Sequence, residues 1–399
     1  MKKINQIVQK IIEDVKDNGD FAVRNYTKRF DSIDLSSFLI TKEEINKAYK
    51  KVGKETISAL KFAKKNIEFF ARQQLKQLKN FEVNKNGVTL GQRVIPIGKI
   101  GVYVPGGNYP LPSTALMCIV PAKLAGVKEI IVCSPKIKPE TIVAADIAGA
   151  DKIFKIGGVQ AIAAMAYGTK QVPKVDKIVG PGNIYVTAAK KAVYGDCGID
   201  LPAGPSEVLV IADRFSDCRF IASDLIAQLE HDANSVAILV TDSKIIAKKV
   251  SDEIRMMLKR NENTAILGKS IRNLKINVVK TVNDAIKIAN DAKPEHLELL
   301  VNNPEKYVNK LVNYGSLFIG EYSAVAFGDY CSGTNHVLPT SGAAKFSGGL
   351  SIRDFVKFLT YQKISRSGAI KLSKAALIMS RIEGLENHNR SVRIRTAKQ

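Results

Sequence analysis

Apolar positions recur at helical spacing through about the first 80 residues. The first stripe predicts an amphipathic helix and consists of Ile4, Ile7, Val8, Ile11, Ile12 and Val15. Thr41 stands three residues before Glu44, the spacing of a capping box, and predicts a second helix from residue 42. Residues 42–80 are lysine-rich and hold one more helix or two.

From about residue 95 the pattern changes to short apolar runs, which predict strands separated by alanine-rich, helix-compatible stretches. A first set of runs lies at 100–104, 128–133, 152–156, 176–179 and 207–211. A second set lies at 236–240, 277–279, 296–301 and 316–319. Strands that alternate with helices at this spacing indicate βαβ units and parallel sheets. The last 50 residues begin at Gly348-Gly349 and predict two helices and a short tail at 392–395.

The predicted fold class is therefore α/β, with two Rossmann-like parallel-sheet domains and a small helical C-terminal segment. We expect residues 1–102 to be the helical part of a first α/β domain that is completed by residues 207–347. Residues 103–206 would form the second α/β domain, and residues 348–399 a helical dimerisation segment.

The charge and the cysteines exclude several classes of protein. The net charge is +22, but lysines are spread along the chain without a long block, so the charge indicates a solvated surface and we expect no nucleic-acid partner. No run of 18 apolar residues and no apolar signal core is present, so we expect a cytoplasmic protein that neither binds nor crosses a membrane. Five cysteines without a C-x-x-C pair do not predict a disulfide framework or a thiolate zinc site.

The chain has only four histidines, and each lies in a polar cluster. They are His231, His296, His336 and His388. Neutral imidazole suits both metal ligation and proton transfer near neutral pH. Their common setting predicts that the four converge on one site.

Two of these clusters suggest chemistry by themselves. Gln228 and His231 are one helical turn apart and can contact one ion, although glutamine is an uncommon zinc ligand. Glu295 and His296 are apt for acid–base work. Adjacent strand residues face opposite ways, so this pair serves one site only if the segment is irregular at that point.

The polar loop at 328–336 contains Cys331, which could in principle act as a nucleophile in aldehyde oxidation, although nothing local marks it as activated. Glycine-rich turns at 105–108, 157–158 and 180–183 follow predicted strands and open predicted helices, where backbone N–H groups can face an anion. Tight turns also use glycine for steric reasons. The dinucleotide fingerprint G-x-G-x-x-G is absent.

Taken together, the motifs resemble those of the histidinol dehydrogenase family, in order, from about residue 8 to about residue 395. They are 100–117 (IGVYVPGGNYPLPSTALM), 157–169 (GGVQAIAAMAYGT), 176–183 (DKIVGPGN), 201–213 (LPAGPSEVLVIAD), 228–231 (QLEH), 294–299 (PEHLEL), 328–340 (GDYCSGTNHVLPT) and 383–388 (EGLENH). The resemblance implies oxidation of L-histidinol through histidinal to L-histidine, the last two steps of histidine biosynthesis, with two NAD and one zinc per subunit.

The resemblance also implies roles for individual residues. The implied catalytic pair is Glu295 and His296. The implied zinc ligands are Gln228, His231, Asp329 and His388. The implied substrate contacts are Ser206, Gln228, His231, His296, Asp329, His336, Glu383 and His388, and the implied NAD contacts are Tyr103, Gln160 and Asn183. The family's C-terminal segment crosses to a partner, so the resemblance implies a homodimer with shared active sites.

Three alternatives remain open from the sequence. One is a dehydrogenase of the same fold that acts on another small polar alcohol. Another is a basic nucleic-acid-binding protein without a metal. The third is a cysteine-dependent aldehyde dehydrogenase, which would need Cys331.

Overall fold

The computed structural model describes residues 2–106, 110–201, 204–260 and 264–397. The helices are α1 (Lys2–Asn18), α2 (Asp20–Asp31), α3 (Lys42–Lys51), α4 (Lys54–Lys76), α5 (Pro112–Leu124), α6 (Pro139–Ala148), α7 (Gly158–Tyr167), α8 (Ile184–Val193), α9 (Cys218–Leu229), α10 (Lys244–Arg260), α11 (Thr264–Ser270), α12 (Val282–Ala292), α13 (Glu305–Val308), α14 (Val325–Tyr330), α15 (Arg366–Ile382) and α16 (Glu386–Thr396). The strands are β1 (Phe81–Lys85), β2 (Val88–Pro96), β3 (Lys99–Tyr103), β4 (Glu129–Cys133), β5 (Lys152–Phe154), β6 (Lys177–Val179), β7 (Gly198–Ile199), β8 (Glu207–Ala212), β9 (Val236–Thr241), β10 (Leu274–Val278), β11 (His296–Leu300), β12 (Ser316–Ile319) and β13 (Val356–Ile364).

The first unit is a parallel sheet in the order β5-β4-β3-β6-β7. Counted by the unit's own strands this order is 3-2-1-4-5, the arrangement of a Rossmann-like sheet. Alternate strand residues pack on opposite faces: Ile100 and Val102 join the core with α3 to α6, and Tyr103 and Ile131 join the core with α1, α2, α7 and α8. Both faces are thus covered, as a buried parallel sheet requires.

The second unit repeats this order in the sheet β10-β9-β8-β11-β12. Leu297 and Leu299 of β11 pack with α12 on one face. His296 and Glu298 therefore point to the other face, where α9 packs on the sheet. This alternation explains how a strand inside an apolar core presents a histidine to one side only.

The third part, here called the C-terminal arm, combines the antiparallel sheet β1-β2-β13 with α15 and α16. Strand β13 pairs with β2 along its whole length, from Val356 opposite Pro96 to Ile364 opposite Val88. The prediction of two helices and a tail for the last 50 residues is correct for the helices but misses this strand. The predicted tail at 392–395 is part of α16.

Most of the other predicted elements are confirmed, since each apolar run between 100 and 319 overlaps a strand. Thr41 forms the expected capping box: its hydroxyl accepts from the Glu44 backbone N–H, and the Glu44 carboxylate accepts from the Thr41 N–H. The turn predicted at 105–108 lies partly outside the described residues, which stop at 106 and resume at 110.

The apolar faces of the N-terminal helices pack mainly on the first unit, and not on residues 207–347 as the predicted grouping implies. The apolar stripe of α1, including Val8 and Ile11, shares a core with α7 and with strands of the first sheet. Ile67 of α4 likewise packs with α5 and α6. The N-terminal helices thus form an outer layer on the crossover helices of the sheet at 99–199.

Within the ranges that the structure describes, no helix is long and apolar enough to cross a membrane.

Candidate active site

Glu295 and His296 lie at the start of β11, at the edge of the second sheet where the parallel strands begin. Both are buried, with exposed fractions of 5% and 4%. The Glu295 carboxylate accepts a hydrogen bond from the Glu207 backbone N–H at 2.9 Å, and His296 Nδ1 lies 3.3 Å from the Glu207 carbonyl oxygen. Because Glu295 precedes the first paired residue of β11, its side chain can turn towards His296: Glu295 Oε2 is 3.6 Å from His296 Nδ1.

The electrostatics of this pair follow from burial and from its acidic neighbours. Burial raises the pKa of Glu295 to about 7, although the adjacent His296 opposes the rise. Burial alone would lower the pKa of His296, but Glu295 and Asp329 more than offset it and raise this pKa to about 9. A buried carboxyl and an imidazole with pKa values near the physiological range are suited to proton transfer.

Asp329, near the end of α14, is the acidic centre around which three histidines lie. Its Oδ1 is 3.5 Å from His296 Nε2. His296, His336 and His231 together hold the pKa of Asp329 below its usual value against the opposing effect of burial. Three of the four histidines that were predicted to converge therefore lie around Asp329, and His388 does not.

Gln228 and His231 lie at the end of α9. The helix ends at Leu229, and a turn bond from the His231 N–H to the Gln228 carbonyl keeps the two residues together. Gln228 is 3% exposed, and its side-chain nitrogen has no hydrogen-bond partner among the described residues. A buried amide N–H donor without a partner is costly and indicates that an acceptor from a ligand or another group completes the site.

The other two predicted site residues, Glu383 and His388, do not join this group. Glu383 ends α15 and His388 lies in the first turn of α16, and both are exposed. In the described part of the chain, no three histidine, cysteine, aspartate or glutamate side chains are close enough together to hold a metal ion. Of the four implied zinc ligands, a single chain therefore brings together Gln228, His231 and Asp329 but not His388.

The predicted cofactor contacts lie in the first unit, at the edge of its sheet where the parallel strands end. In sheets of this order, ligands bind at the crevice where the strand order reverses, here between β3 and β6. Tyr103 is the last residue of β3, and Asn183 caps α8 just after β6, its side-chain oxygen accepting from the Tyr185 and Val186 N–H groups at 3.0 and 3.1 Å. Gln160, in the first turn of α7, is buried, and neither its side-chain oxygen nor its nitrogen has a partner among the described residues.

Gly180 brings the β6 turn against Tyr103. Its φ is +109°, and a Cβ atom there would lie 2.1 Å from the Tyr103 carbonyl oxygen, so only glycine fits. Two buried charges hold the same turn: Asp200 accepts from the Gly180 N–H at 2.6 Å, and Lys190, paired with Asp200, donates to the Gly180 carbonyl at 2.8 Å.

Ser206 precedes β8 and Glu207 is its first residue, beside Glu295 and His296. Sequence reasoning selected Ser206 but missed Glu207, whose backbone contacts both Glu295 and His296. The Glu207 carboxylate accepts from the Ser341 N–H at 3.0 Å. The sequence feature that could have identified Glu207 is its position directly after Ser206 in the motif at 201–213.

Sequence reasoning also missed Glu298, two residues beyond His296 on the same face of β11. Glu298 is fully buried, and neither carboxylate oxygen has a hydrogen-bond partner within the described ranges. Burial, and next the neighbouring Asp224 of α9, raise its pKa well above the usual value. An acidic residue at an inward position of an apolar strand was the sequence signal.

The fold and the buried acid–base pair are those of an α/β enzyme in which a Rossmann-like crevice and a polar cluster lie on adjoining units. Comparison with known proteins gives the particular family. The family model described as histidinol dehydrogenase matches residues 1–396. The chain belongs to the histidinol dehydrogenase family, whose reaction is the NAD-dependent oxidation of histidinol to histidine in histidine biosynthesis.

Individual relatives agree over nearly the full length. The chain is 47% identical over 392 residues to histidinol dehydrogenase of Methanococcus maripaludis, covering 97% of this chain and 92% of the relative. It is 46% identical to that of Methanocaldococcus jannaschii, covering 99% and 93%. The crystal structure of histidinol dehydrogenase from Elizabethkingia anophelis is similar with a TM-score of 0.94 and 39% identity, covering 98% of this chain and 91% of that one.

Proposed function

We propose that this protein carries out both oxidations at one site, from L-histidinol through L-histidinal to L-histidine, with bound zinc and two successive molecules of NAD. The observation that carries the proposal is the buried Glu295–His296 pair facing Asp329, because it supplies a base and an acid–base carboxyl at one point. Family membership supports the substrate.

In the first oxidation, His296 takes the proton from the substrate hydroxyl as a hydride leaves the same carbon. NAD, when bound, supplies the hydride acceptor. Glu295, with its pKa near 7, then takes a proton from the water that hydrates the aldehyde. His296 serves again as the base in the second oxidation, in which the hydrate loses a second hydride. Retaining the aldehyde in a buried site protects a reactive intermediate.

Zinc fits the donor set in kind, because histidine nitrogen and carboxylate oxygen are its usual ligands and Gln228 adds an amide oxygen one helical turn before His231. Gln228, His231 and Asp329 would hold it, with His388 as the fourth ligand. When bound, the ion supplies a template that orients the substrate. Ser206 and Glu383 would complete the substrate contacts, and Tyr103, Gln160 and Asn183 would hold NAD.

His388 must then come from a second copy of the chain. The C-terminal arm that carries it exposes apolar side chains on every element, for example Phe81 at 52%, Ile370 at 52% and Ile382 at 75%. An apolar surface of this kind marks an interaction site. A homodimer in which each arm reaches the partner's site covers this surface and supplies the missing ligand in one arrangement.

The proposal is tested by following NADH formation from L-histidinol, with and without a zinc chelator. We expect two NADH per histidinol consumed, loss of activity on zinc removal and its return when zinc is added back. Another small polar alcohol of similar structure serves as the control substrate. Faster oxidation of that alcohol than of histidinol would favour the alternative dehydrogenase, and one NADH per histidinol would contradict the double oxidation.

The replacement of Cys331 with serine should leave activity within about twofold of wild type, because oxidation through a hydrated aldehyde needs no thioester. The residue packs partly buried beside the first unit's core, and its carbonyl, not its thiol, is held by Asn66. Serine preserves that backbone contact. Steady-state rates with histidinol and histidinal provide the measurement, and an inactive variant with normal zinc content would revive the covalent mechanism.

A further inference from the structure

The loop that follows Asp329 and contains His336 comes after the second sheet in the chain but is tied to helices of the first unit. Asn66 of α4 donates its side-chain N–H to the Cys331 carbonyl at 2.8 Å. Asn335 donates to the Met117 carbonyl in α5 at 2.7 Å. We call the residues Asn66, Thr114, Asn335 and His336 the inter-unit clamp.

Gly333 shows how closely the loop approaches α4. Its φ is +115°, and a Cβ atom there would lie 2.6 Å from the Asn66 carbonyl oxygen. The backbone of the loop therefore lies directly on the helix. Polar bonds on both sides of this contact fix the loop to the first unit rather than to the sheet from which it comes.

The His336 ring is the member of the clamp next to the site. Its Nδ1 lies 2.7 Å from the Asp329 carbonyl oxygen, and its Nε2 lies 3.3 Å from the Thr114 hydroxyl of α5. A carbonyl oxygen only accepts, so Nδ1 carries the proton and donates. Nε2 of a neutral ring then accepts from the hydroxyl, and both ring nitrogens are engaged within the chain.

We propose that Thr114 and His336 are positioning residues, which hold the Asp329 backbone so that its carboxylate faces His296 and the proposed zinc. This inference rests on the proposed function and goes beyond it at one point, because it has His336 act on the zinc site through Asp329. The clamp fixes the loop after Asp329 to α4 and α5 of the first unit. The distance between the proposed NAD crevice and Asp329 is therefore set by the first unit.

The replacement of Thr114 with valine removes the hydroxyl and keeps the branched shape. We expect zinc affinity and kcat to fall about 10-fold or more, the usual effect of losing a group that orients a metal ligand, while KM for NAD stays unchanged. Thr114→Ser should restore both to within about threefold. Zinc affinity is measured by competition with a chelating dye, so it is read independently of turnover.

Thr27→Val is the matched control, because Thr27 is also buried and its hydroxyl donates to the Val23 carbonyl at 2.8 Å in α2. It should leave zinc affinity and kcat unchanged. Circular dichroism and gel filtration of every variant identify any that fail to fold.

A second pair of variants keeps the inference testable if Thr114→Val does not fold. The amide of His336→Asn can still donate near the Nδ1 position, whereas the amide of His336→Gln lies near Nε2. Positioning predicts that the asparagine variant keeps more zinc affinity than the glutamine variant. Direct substrate binding predicts normal zinc affinity in both and a raised KM for histidinol.

A Thr114→Val enzyme equal to Thr27→Val in zinc affinity and kcat would overturn the clamp, as would a change in the KM for histidinol alone. Wild-type protein that neither binds zinc nor oxidises histidinol would instead overturn the proposed function, and the roles assigned to Thr114 and His336 with it.

Discussion

Replacing His296 with asparagine should lower kcat by about 10²- to 10⁴-fold, the range for loss of a general base, while zinc stays bound. Asparagine can still donate to the Glu207 carbonyl that faces His296 Nδ1, so the start of β11 should keep its structure. It cannot accept the substrate's proton. Rapid kinetics and metal analysis on the same preparation provide the measurement, and zinc loss in this variant would mean that His296 is a ligand rather than a base.

The dependence of kcat/KM on pH tests the role of His296 as a base independently. A base must be unprotonated, and the pKa of His296 is raised to about 9, since Glu295 and Asp329 outweigh the opposing effect of burial. The wild-type kcat/KM should therefore rise with pH as His296 loses its proton and level off above the pKa of His296. In His296→Asn this rise should disappear.

Glu295→Gln separates the two oxidations, because glutamine keeps an oxygen for the Glu207 N–H but cannot take a proton from water. Aldehyde oxidation should slow more than alcohol oxidation. Equal losses on added histidinal and histidinol would contradict the water-activating role of Glu295.

A mixture of two inactive variants, His231→Ala and His388→Ala, should recover activity after subunit exchange. Each variant alone lacks a proposed zinc ligand in every site and should lose both zinc and turnover. If His388 serves the partner's site, a mixed dimer contains one doubly damaged site and one wild-type site. Random exchange makes half the dimers mixed, so activity should return to about a quarter of wild type.

Exchange is achieved by denaturing and refolding the variants together, and two affinity tags verify it. Each variant refolded alone is the control. Demonstrated mixed dimers without activity would place His388 in the site of its own chain and refute the shared site.

The sequence predicted the parts of the fold that depend on local pattern. The runs at 100–104 and 128–133 became strands, and the Thr41–Glu44 spacing became a capping box, because each involves neighbouring residues. The packing of α1 on the first sheet was not predictable, since an apolar stripe shows that a helix face is buried but not against what.

Strand β13 was missed for a similar reason. Its partner β2 lies about 260 residues earlier, and most of its side chains are exposed, so it lacks the apolar run that marked the other strands. The site shows the same division. Glu295 and His296 are adjacent in sequence and were found together, whereas Thr114 became a neighbour of His336 only through the fold.

In the proposed homodimer, the C-terminal arm would make catalytic competence depend on the amount of protein. In the described part of α16 no side chain is buried, and α15 buries only Gly368 and Ser380. In the proposed homodimer, covering the arm's exposed apolar side chains would add stabilising free energy, which mass action links to the logarithm of chain concentration. Dilution should first loosen the arms and empty the zinc sites while both sheets remain folded. At low expression the amount of active enzyme would rise with the square of chain concentration. Small changes in synthesis would then change the rate of histidinol oxidation more than proportionally.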